Sequence, residues 1–319
     1  MHLAIKSALL VFAGLIFFGV AGMVAIWAPD KSMDQLKARW ARPPSRFVSI
    51  GGLQVHLRDE GPAADPVPLV LIHGTSDSLH TWDAWTEVLQ RTHRVIRFDL
   101  PGFGLTGPDP NDDYSMARYV RFVAAVLDDL GVRRCVLVGN SLGGQIAWET
   151  ALAMPQRIDR LVLVDASGYA PPVETMPLAF RMASIPGVRF AMQYFLPRGL
   201  VKDGLRRAYG DPEKVSPALV DRYYDMALRA GNRRALGYRV KAALEAGDSA
   251  RIRKLKLPTL VLWGGRDHLL PLRGGQQFAR DIAGSRLVVF DALGHLPQEE
   301  DPVHTLPEVQ KFLDAKQPI

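Results

Sequence analysis

The sequence predicts an α/β protein: a mostly parallel sheet flanked by helices, with a helical insertion in its second half and an N-terminal transmembrane helix. Three observations carry this. Apolar runs of strand length, Val67–His73, Arg94–Phe98, Val136–Val138, Arg160–Val164 and Leu257–Trp263, alternate with helix-spaced segments, the rhythm of βαβ units whose strands are buried on both faces. That rhythm stops between Pro171 and about Ala250, where helical stretches follow one another without a comparable strand run. The chain also carries near its start a 21-residue stretch, Ala8–Ala28, free of any charged side chain.

As a helix, that stretch spans about 30 Å, the thickness of a bilayer's hydrocarbon core. A secretory signal peptide with Lys6 as its basic end is the competing reading. Such peptides have an apolar region of about 7–15 residues and a small-residue cleavage site, and this run is longer and lacks a clean A-x-A. Residues 1–29 therefore read as an uncleaved anchor with Trp27 at the interface; cleavage would instead give an exported protein. Lys6 lies on one side of the run and Lys31, Lys37, Arg39, Arg42 and Arg46 on the other. The positive-inside tendency then favours a cytoplasmic domain, but a long translocated domain can override it, so the side is left open. Residues 30–45 are polar, basic and contain Pro43–Pro44, the composition of a tether without a core of its own.

The core is expected over 46–170 and 251–319. Arg46–Ile50 and Leu53–Asp59, separated by Gly51–Gly52, form a β-hairpin. The Val67–His73 run ends in His73-Gly74-Thr75 and leads into a helix from about Thr81 to Gln90. Arg94–Phe98 is the next strand and runs into Asp99-Leu-Pro-Gly-Phe-Gly, where Asp99 reads as a structural residue holding a loop. Met116–Leu130 has helical spacing and stops at Gly131. After Arg160–Asp165 comes the insertion, 171–250, a helical cap containing Leu219–Ala230 and Ala235–Ala246. From 171 to 256 there are 17 Lys/Arg against 8 Asp/Glu, so this segment is more basic than the whole chain, as suits either an anionic membrane surface or a solvated exterior. Met176, Phe180, Met182, Phe190, Met192, Tyr194 and Phe195 could line an apolar acyl pocket or form the cap's own core. The core resumes at Leu257, continues through Arg286–Phe290, and closes with a helix that Asp301–Pro302 begin as N-cap and first residue.

Chemistry concentrates at Gly139-Asn140-Ser141-Leu142-Gly143-Gly144, between an apolar β-branched run and a helix-compatible segment. A nucleophilic hydroxyl must project from a tight, strained turn, and flanking glycines supply the clearance. At the first turn of a helix, the Leu142 N–H faces the place where an oxyanion would form. Gly74 lets the backbone turn so that the Thr75 N–H can serve as a second donor. Asp267 follows a buried strand in Trp263-Gly-Gly-Arg-Asp, and His295 follows the last strand in Asp291-Ala-Leu-Gly-His. A histidine base activates a serine hydroxyl, and a carboxylate holds the imidazole tautomer and steadies the imidazolium. Asp165, at another strand end, is the reserve acid. His80, His93, His268 and His304 read as surface or loop residues.

Taken together, His73–Gly74, Asp99-Leu-Pro-Gly-Phe-Gly, Gly139-Asn-Ser-Leu-Gly, Trp263-Gly-Gly-Arg-Asp267 and Gly294–His295 resemble the α/β-hydrolase fold family from about Phe47 to the C-terminus. The resemblance implies a nucleophile–acid–histidine order matched by Ser141, Asp267 and His295. Epoxide hydrolases and haloalkane dehalogenases of this fold carry aspartate at the elbow, so serine implies acyl transfer to water: an esterase or lipase acting on a small ester or a lipid. A carbon–carbon bond hydrolase of the meta-cleavage type is the alternative, because its elbow also favours Gly-Asn-Ser before an apolar residue and two glycines. A non-catalytic membrane-tethered module is a third reading, against which the complete triad argues. Neither a metal-binding cluster nor a nucleotide-cradling loop is visible, so no cofactor is expected. The net charge of +6 comes without a nucleic-acid motif, and nothing assigns an oligomeric state. Lone Cys135 cannot form an intrachain disulfide and says little about compartment.

Overall fold

The computed structural model describes residues 22, 26–169, 182, 185–244 and 249–315. In chain order these hold helix α1 (Met33–Trp40), strands β1 (Arg46–Ile50), β2 (Leu53–Glu60) and β3 (Leu69–Ile72), α2 (Asp83–Leu89), β4 (Val95–Phe98), α3 (Met116–Asp129), β5 (Cys135–Asn140), α4 (Leu142–Ala153) and β6 (Ile158–Val164). The cap follows as α5 (Pro186–Ala191), α6 (Arg198–Ala208), α7 (Pro217–Ala227) and α8 (Asn232–Leu244). The core then closes with β7 (Thr259–Gly264), α9 (Arg273–Asp281), β8 (Arg286–Phe290), α10 (Pro297–Glu300) and α11 (Pro302–Asp314).

The eight strands form one sheet in the order β1-β2-β4-β3-β5-β6-β7-β8. The hairpin makes the antiparallel edge, with β2 antiparallel to both β1 and β4, and every later pairing is parallel. Alternation along each parallel strand serves both faces. Leu69, Leu71, Val136, Val138, Val162 and Val164 pack against Trp82, against Trp85 and Leu89 of α2 and against Leu306 and Val309 of α11. Val70, Ile72, Leu137, Leu161 and Leu163 pack on the other face against Phe122 and Val126 of α3, Ile146 and Trp148 of α4 and Phe278 of α9. A strand buried on both sides has no polar alternation to show, which is why these runs read as continuous apolar stretches.

Local signals behave as their chemistry demands. Ser115 caps α3 by accepting from the Arg118 N–H, and Gly131 follows its end at φ 65°. Asp301 caps α11 from the His304 N–H, with Pro302 as its first residue. Cys135 is buried and its thiol is pushed up to about 12 by that burial. The helix expected over Thr81–Gln90 is split into a 3-10 turn, Leu79–Trp82, and α2.

The tether expected at 30–45 is instead folded. Ser32 and Gln35 form a reciprocal capping box that starts α1, and Leu36, 1% exposed, is buried with Leu105 of the core and Met226 of the cap. Lys31 Nζ, Arg39 Nη1 and Trp40 Nε1 converge on the buried Asp225 carboxylate of α7 at 2.5, 2.9 and 2.9 Å. His80, expected on the surface or in a loop, is buried. Its Nε2 bonds the Trp40 carbonyl at 2.9 Å and its Nδ1 the Asp83 carboxylate at 3.0 Å, so it staples α1 to the core. One short helix with four scattered apolar residues shows too little periodicity for its packing to be read without its partners.

The expected membrane span, Ala8–Ala28, lies outside the described residues except for Gly22 and Ile26–Ala28. Among the described residues no helix is long and apolar enough to cross a membrane. Ala28 is buried against the cap, its N–H on the Tyr194 carbonyl at 2.9 Å and its carbonyl on Arg233 at 2.6 Å. Of the cap side chains considered for an apolar pocket, Met176 and Phe180 lie outside the described residues, while Phe190 and Tyr194 are 63% and 42% exposed.

Truncating Leu36 tests whether α1 is structural. Leu36→Ala should cost about 3 kcal/mol through lost burial and the remaining cavity, seen as a lower unfolding midpoint in thermal denaturation. An unchanged midpoint would return α1 to the status of a tether.

Candidate active site

The parallel register decides where the predicted residues meet. Asn140 pairs with Val164, Val164 with Leu262 and Gly264 with Phe290, so β5, β6, β7 and β8 all end on one edge of the sheet. Ser141, Asp165, Asp267 and His295 stand in the turns that follow those strands. That edge lies beside the point where strand order reverses between β3 and β5, where open α/β sheets form crevices.

Ser141 takes φ 54° and ψ −117°, a left-handed conformation that an L side chain adopts only under constraint. Its neighbours impose it. Its N–H bonds the Val164 carbonyl at 3.0 Å and its carbonyl accepts from Gln145 and Ser167 at 3.1 and 3.0 Å. A Cβ added at Gly143 would collide with the Ile72 and His73 carbonyls, so only glycine lets the elbow sit against the end of β3. Among the described residues four non-glycine residues have positive φ, and Ser76, Ser141 and Asp165 place three of them at this site, the clustering expected of stored strain.

The candidate oxyanion-hole residues are set by adjacent contacts. Leu142 opens α4 directly after Ser141. Gly74 lies so close that an added Cβ would stand 2.9 Å from Asn140 Oδ1 and 3.1 Å from Ser141 Cβ, which brings the Thr75 turn beside the elbow. His73 holds that turn and is not a proton carrier. Its Nδ1 donates to the Gly74 carbonyl at 2.7 Å and its Nε2 accepts from the Leu100 N–H at 2.9 Å, while complete burial drives its basicity down. Asp99 is likewise structural, as its turn suggested. Its carboxylate accepts from the Leu79 and Leu105 N–H groups, both at 2.7 Å, and from His56 Nδ1 at 2.8 Å. Burial opposes the charge of Asp99, but His56 and these donors prevail and lower its pKa to about 2.

Asp267 and His295 meet as predicted. His295 Nδ1 lies 2.6 Å from Asp267 Oδ2, and Asp267 Oδ1 accepts from the Leu269 and Leu270 N–H groups at 2.7 and 2.9 Å. Nδ1 is therefore the donor and Nε2 the basic nitrogen. Asn140 Nδ2 donates to the His295 carbonyl at 3.0 Å and to the Val164 carbonyl at 3.1 Å, which ties the residue before Ser141 to the histidine's own backbone. Asp165 is buried beside the pair: its carboxyl, that of Asp267 and a His295 ring nitrogen lie within 4.8 Å of one another. A metal could be held at that spacing, but Nδ1 is spent as a donor to Asp267, so the arrangement suits holding protons. Its first chemical capability is to take a proton from an alcohol through Nε2.

Two groups escaped the sequence reading. Glu300 is a carboxylate clamp: its oxygens accept from Gly210 at 2.9 Å, Asp211 at 2.8 Å and Gly294 at 2.8 Å, joining the cap loop to the residue before His295. The His295 N–H itself donates to the carbonyl of Ala208, the last residue of α6, at 2.6 Å. Asp77, two residues beyond Thr75, is enclosed with Arg222 and Tyr223 of the cap and Glu299 of α10. Arg222 is ion-paired with Glu299, and Tyr223 Oη donates to Glu299 at 2.9 Å. Burial and the nearby Glu299 push Asp77 up to about 7 despite Arg222. Only the acidic pair Glu299–Glu300 in an otherwise ordinary closing segment hinted at either.

A parallel-sheet α/β hydrolase is the class that this fold and this row of residues define. The family model for the alpha/beta hydrolase fold matches residues 67–302, and the chain belongs to that family. It is 32% identical over 282 residues to a 2-hydroxy-6-oxo-2,4-heptadienoate hydrolase of Pseudomonas putida, covering 85% of this chain and 96% of that one. A hydrolase structure from Pseudomonas aeruginosa is similar at TM-score 0.72 and 32% identity, covering 86% of this chain and 99% of the other. A meta-cleavage product hydrolase from Pseudomonas fluorescens is similar at TM-score 0.73 and 25% identity, covering 84% and 97%.

Glu300→Ala removes a charged acceptor from three backbone N–H groups, that of Gly294 buried, and should lower stability by about 3 kcal/mol, with Glu300→Gln recovering part of the loss in chemical denaturation; equal loss in both would assign Glu300 to charge alone. Asp77 binds its proton more tightly folded than unfolded, so its contribution is largest below the unfolded pKa near 4 and falls as pH rises through about 7. Asp77→Asn should therefore gain stability on wild type between about pH 4 and pH 8; parallel stability–pH curves would place the cause elsewhere.

Proposed function

We propose that the chain is a serine hydrolase of the meta-cleavage product type, cleaving a carbon–carbon bond beside a ketone in a dienoic acid. What carries the substrate class is the 32% identity, along 85% of this chain, to a 2-hydroxy-6-oxo-2,4-heptadienoate hydrolase. The elbow Gly139-Asn-Ser-Leu-Gly-Gly is of the matching kind. Carboxylic ester hydrolysis, the first expectation from serine at the elbow, has support from the α/β hydrolase fold as a whole.

In this reading Ser141 is the nucleophile and His295 Nε2 takes its proton as Ser141 attacks the carbonyl carbon. Asp267 keeps Nδ1 protonated and facing itself through the 2.6 Å contact. The Thr75 and Leu142 N–H groups receive the oxyanion, each worth about 3 kcal/mol of barrier lowering by analogy with other hydrolases. His295 then returns its proton to the departing carbon or oxygen, and water admitted on the same base regenerates Ser141. The first half of this sequence is shared by ester and carbon–carbon cleavage, so assays must separate them.

Ser141→Ala and His295→Ala should each lower kcat by about 10⁴-fold or more with native circular dichroism, and a fluorophosphonate should label wild type but not Ser141→Ala. An inert wild type, or labelling that survives the substitution, would reject the serine mechanism and favour the non-catalytic module. With that established, kcat/KM for a meta-cleavage dienoate should exceed that for p-nitrophenyl esters of any chain length; the reverse order would make it an esterase. We also propose that Ala8–Ala28 anchors the chain in a membrane. Deleting residues 1–25, which spares Ala28 and its cap contacts, should release an active protein into the soluble fraction, whereas continued pelleting would place the attachment in the basic cap.

A further inference from the structure

We propose that Asp165 is a neutral, proton-donating partner of Asp267 that positions the acid–histidine pair, an inference that rests on the serine-hydrolase reading of the site. Three geometric facts support it. The Asp165 carboxyl is completely buried at the end of β6, and an oxygen of it, one of Asp267 and a His295 ring nitrogen lie within 4.8 Å of one another. The two carboxyls are unequally supplied with donors: Asp267 accepts from two amide N–H groups and from His295 Nδ1, while Asp165 Oδ1 accepts only from the Gly264 N–H at 2.9 Å. Asp165 Oδ2 has no hydrogen-bond partner among protein donors, an orphaned buried acceptor if charged but a satisfied donor if it carries a hydrogen and faces the Asp267 carboxylate.

Chemistry favours the second arrangement. Two adjacent carboxylates in a buried site cannot both ionise cheaply, and the proton stays on the one with fewer donors. Burial, then the charge of Asp267, hold Asp165 well above the usual carboxylate range. The groups that face Asp165 are Asp267 and His295 on the loops after β7 and β8, and Glu300 on α10, which adds negative charge in the same direction. The backbone holds the side chain there: the Asp165 N–H bonds the Leu262 carbonyl at 3.0 Å and its φ is 42°, a strained value for a non-glycine residue. The hydrogen bond from Asp165 orients the Asp267 carboxylate toward His295 Nδ1, with which it makes the 2.6 Å contact.

Two readouts test this, one of them independent of turnover. Infrared difference spectra at pH 7 should show a protonated carboxyl C=O stretch in wild type that Asp165→Asn removes; its absence in wild type would overturn the proposal even for an active serine hydrolase, and its presence would hold even if the serine reading failed. In kinetics, Asp165→Ala should lower kcat about tenfold at unchanged KM, while Asp165→Asn, which still donates an N–H, should restore it to within about threefold. The acid limb of the kcat/KM profile should coincide for wild type and Asp165→Asn, because neither carries a charge at 165. An acid limb displaced by a full pH unit, or Asn failing as badly as Ala, would show that Asp165 acts as a second carboxylate and not as a donor. The downfield proton resonance of His295 Nδ1–H reports the same outcome without turnover, moving in Asp165→Ala and staying in Asp165→Asn.

Discussion

The parallel register of β5 through β8 is the constraint on which everything else depends. Ser141 and His295 stand 154 positions apart in the sequence, and only a sheet that ends all four strands at one edge brings their turns together. The register is paid for by side chains far from the chemistry: each strand alternates its apolar residues between two layers of helices, and a slip of one residue would turn both layers out of place. Positional accuracy at the site is thus a product of burial energy in the core, and the candidate site groups can remain polar and strained because they contribute little to it.

At the edge itself, strain and close backbone approach replace side-chain packing. Ser141, Asp165 and Ser76 occupy conformations that an isolated residue would abandon, and the surrounding hydrogen bonds of backbone N–H and C=O groups over-determine them. Asn140 and His73 act in this layer. The first reaches from the elbow to the backbone of His295, and the second ties the turn that presents Thr75, through the Gly74 carbonyl, to the turn after β4, through the Leu100 N–H.

The cap is part of this framework as well as its cover. The carbonyl of Ala208 and the clamp of Glu300 set the loop that bears His295, while Arg222 and Tyr223 bring α7 down on the loop that follows Thr75. On its outer side, α7 receives α1 through Asp225. One cap helix therefore joins the N-terminal segment to the neighbourhood of Thr75, through the buried Asp225 carboxylate that receives Lys31 and Arg39 and through the Arg222–Glu299 pair.

Strand runs, capping residues, the glycine-flanked serine and the order Ser141, Asp267, His295 were legible in the amino-acid sequence because each depends on neighbours within a few positions or on a spacing the fold repeats. The role of α1, the burial of His80, the Glu300 clamp and the enclosure of Asp77 were not, because each joins residues dozens to hundreds of positions apart by a few polar contacts that leave no periodic trace. Asp165 shows the division most clearly. Sequence alone marked it as an acid at a strand end; only the folded chain decided, by giving three N–H donors to Asp267 and one to Asp165, which of two neighbouring carboxyls can bear the charge.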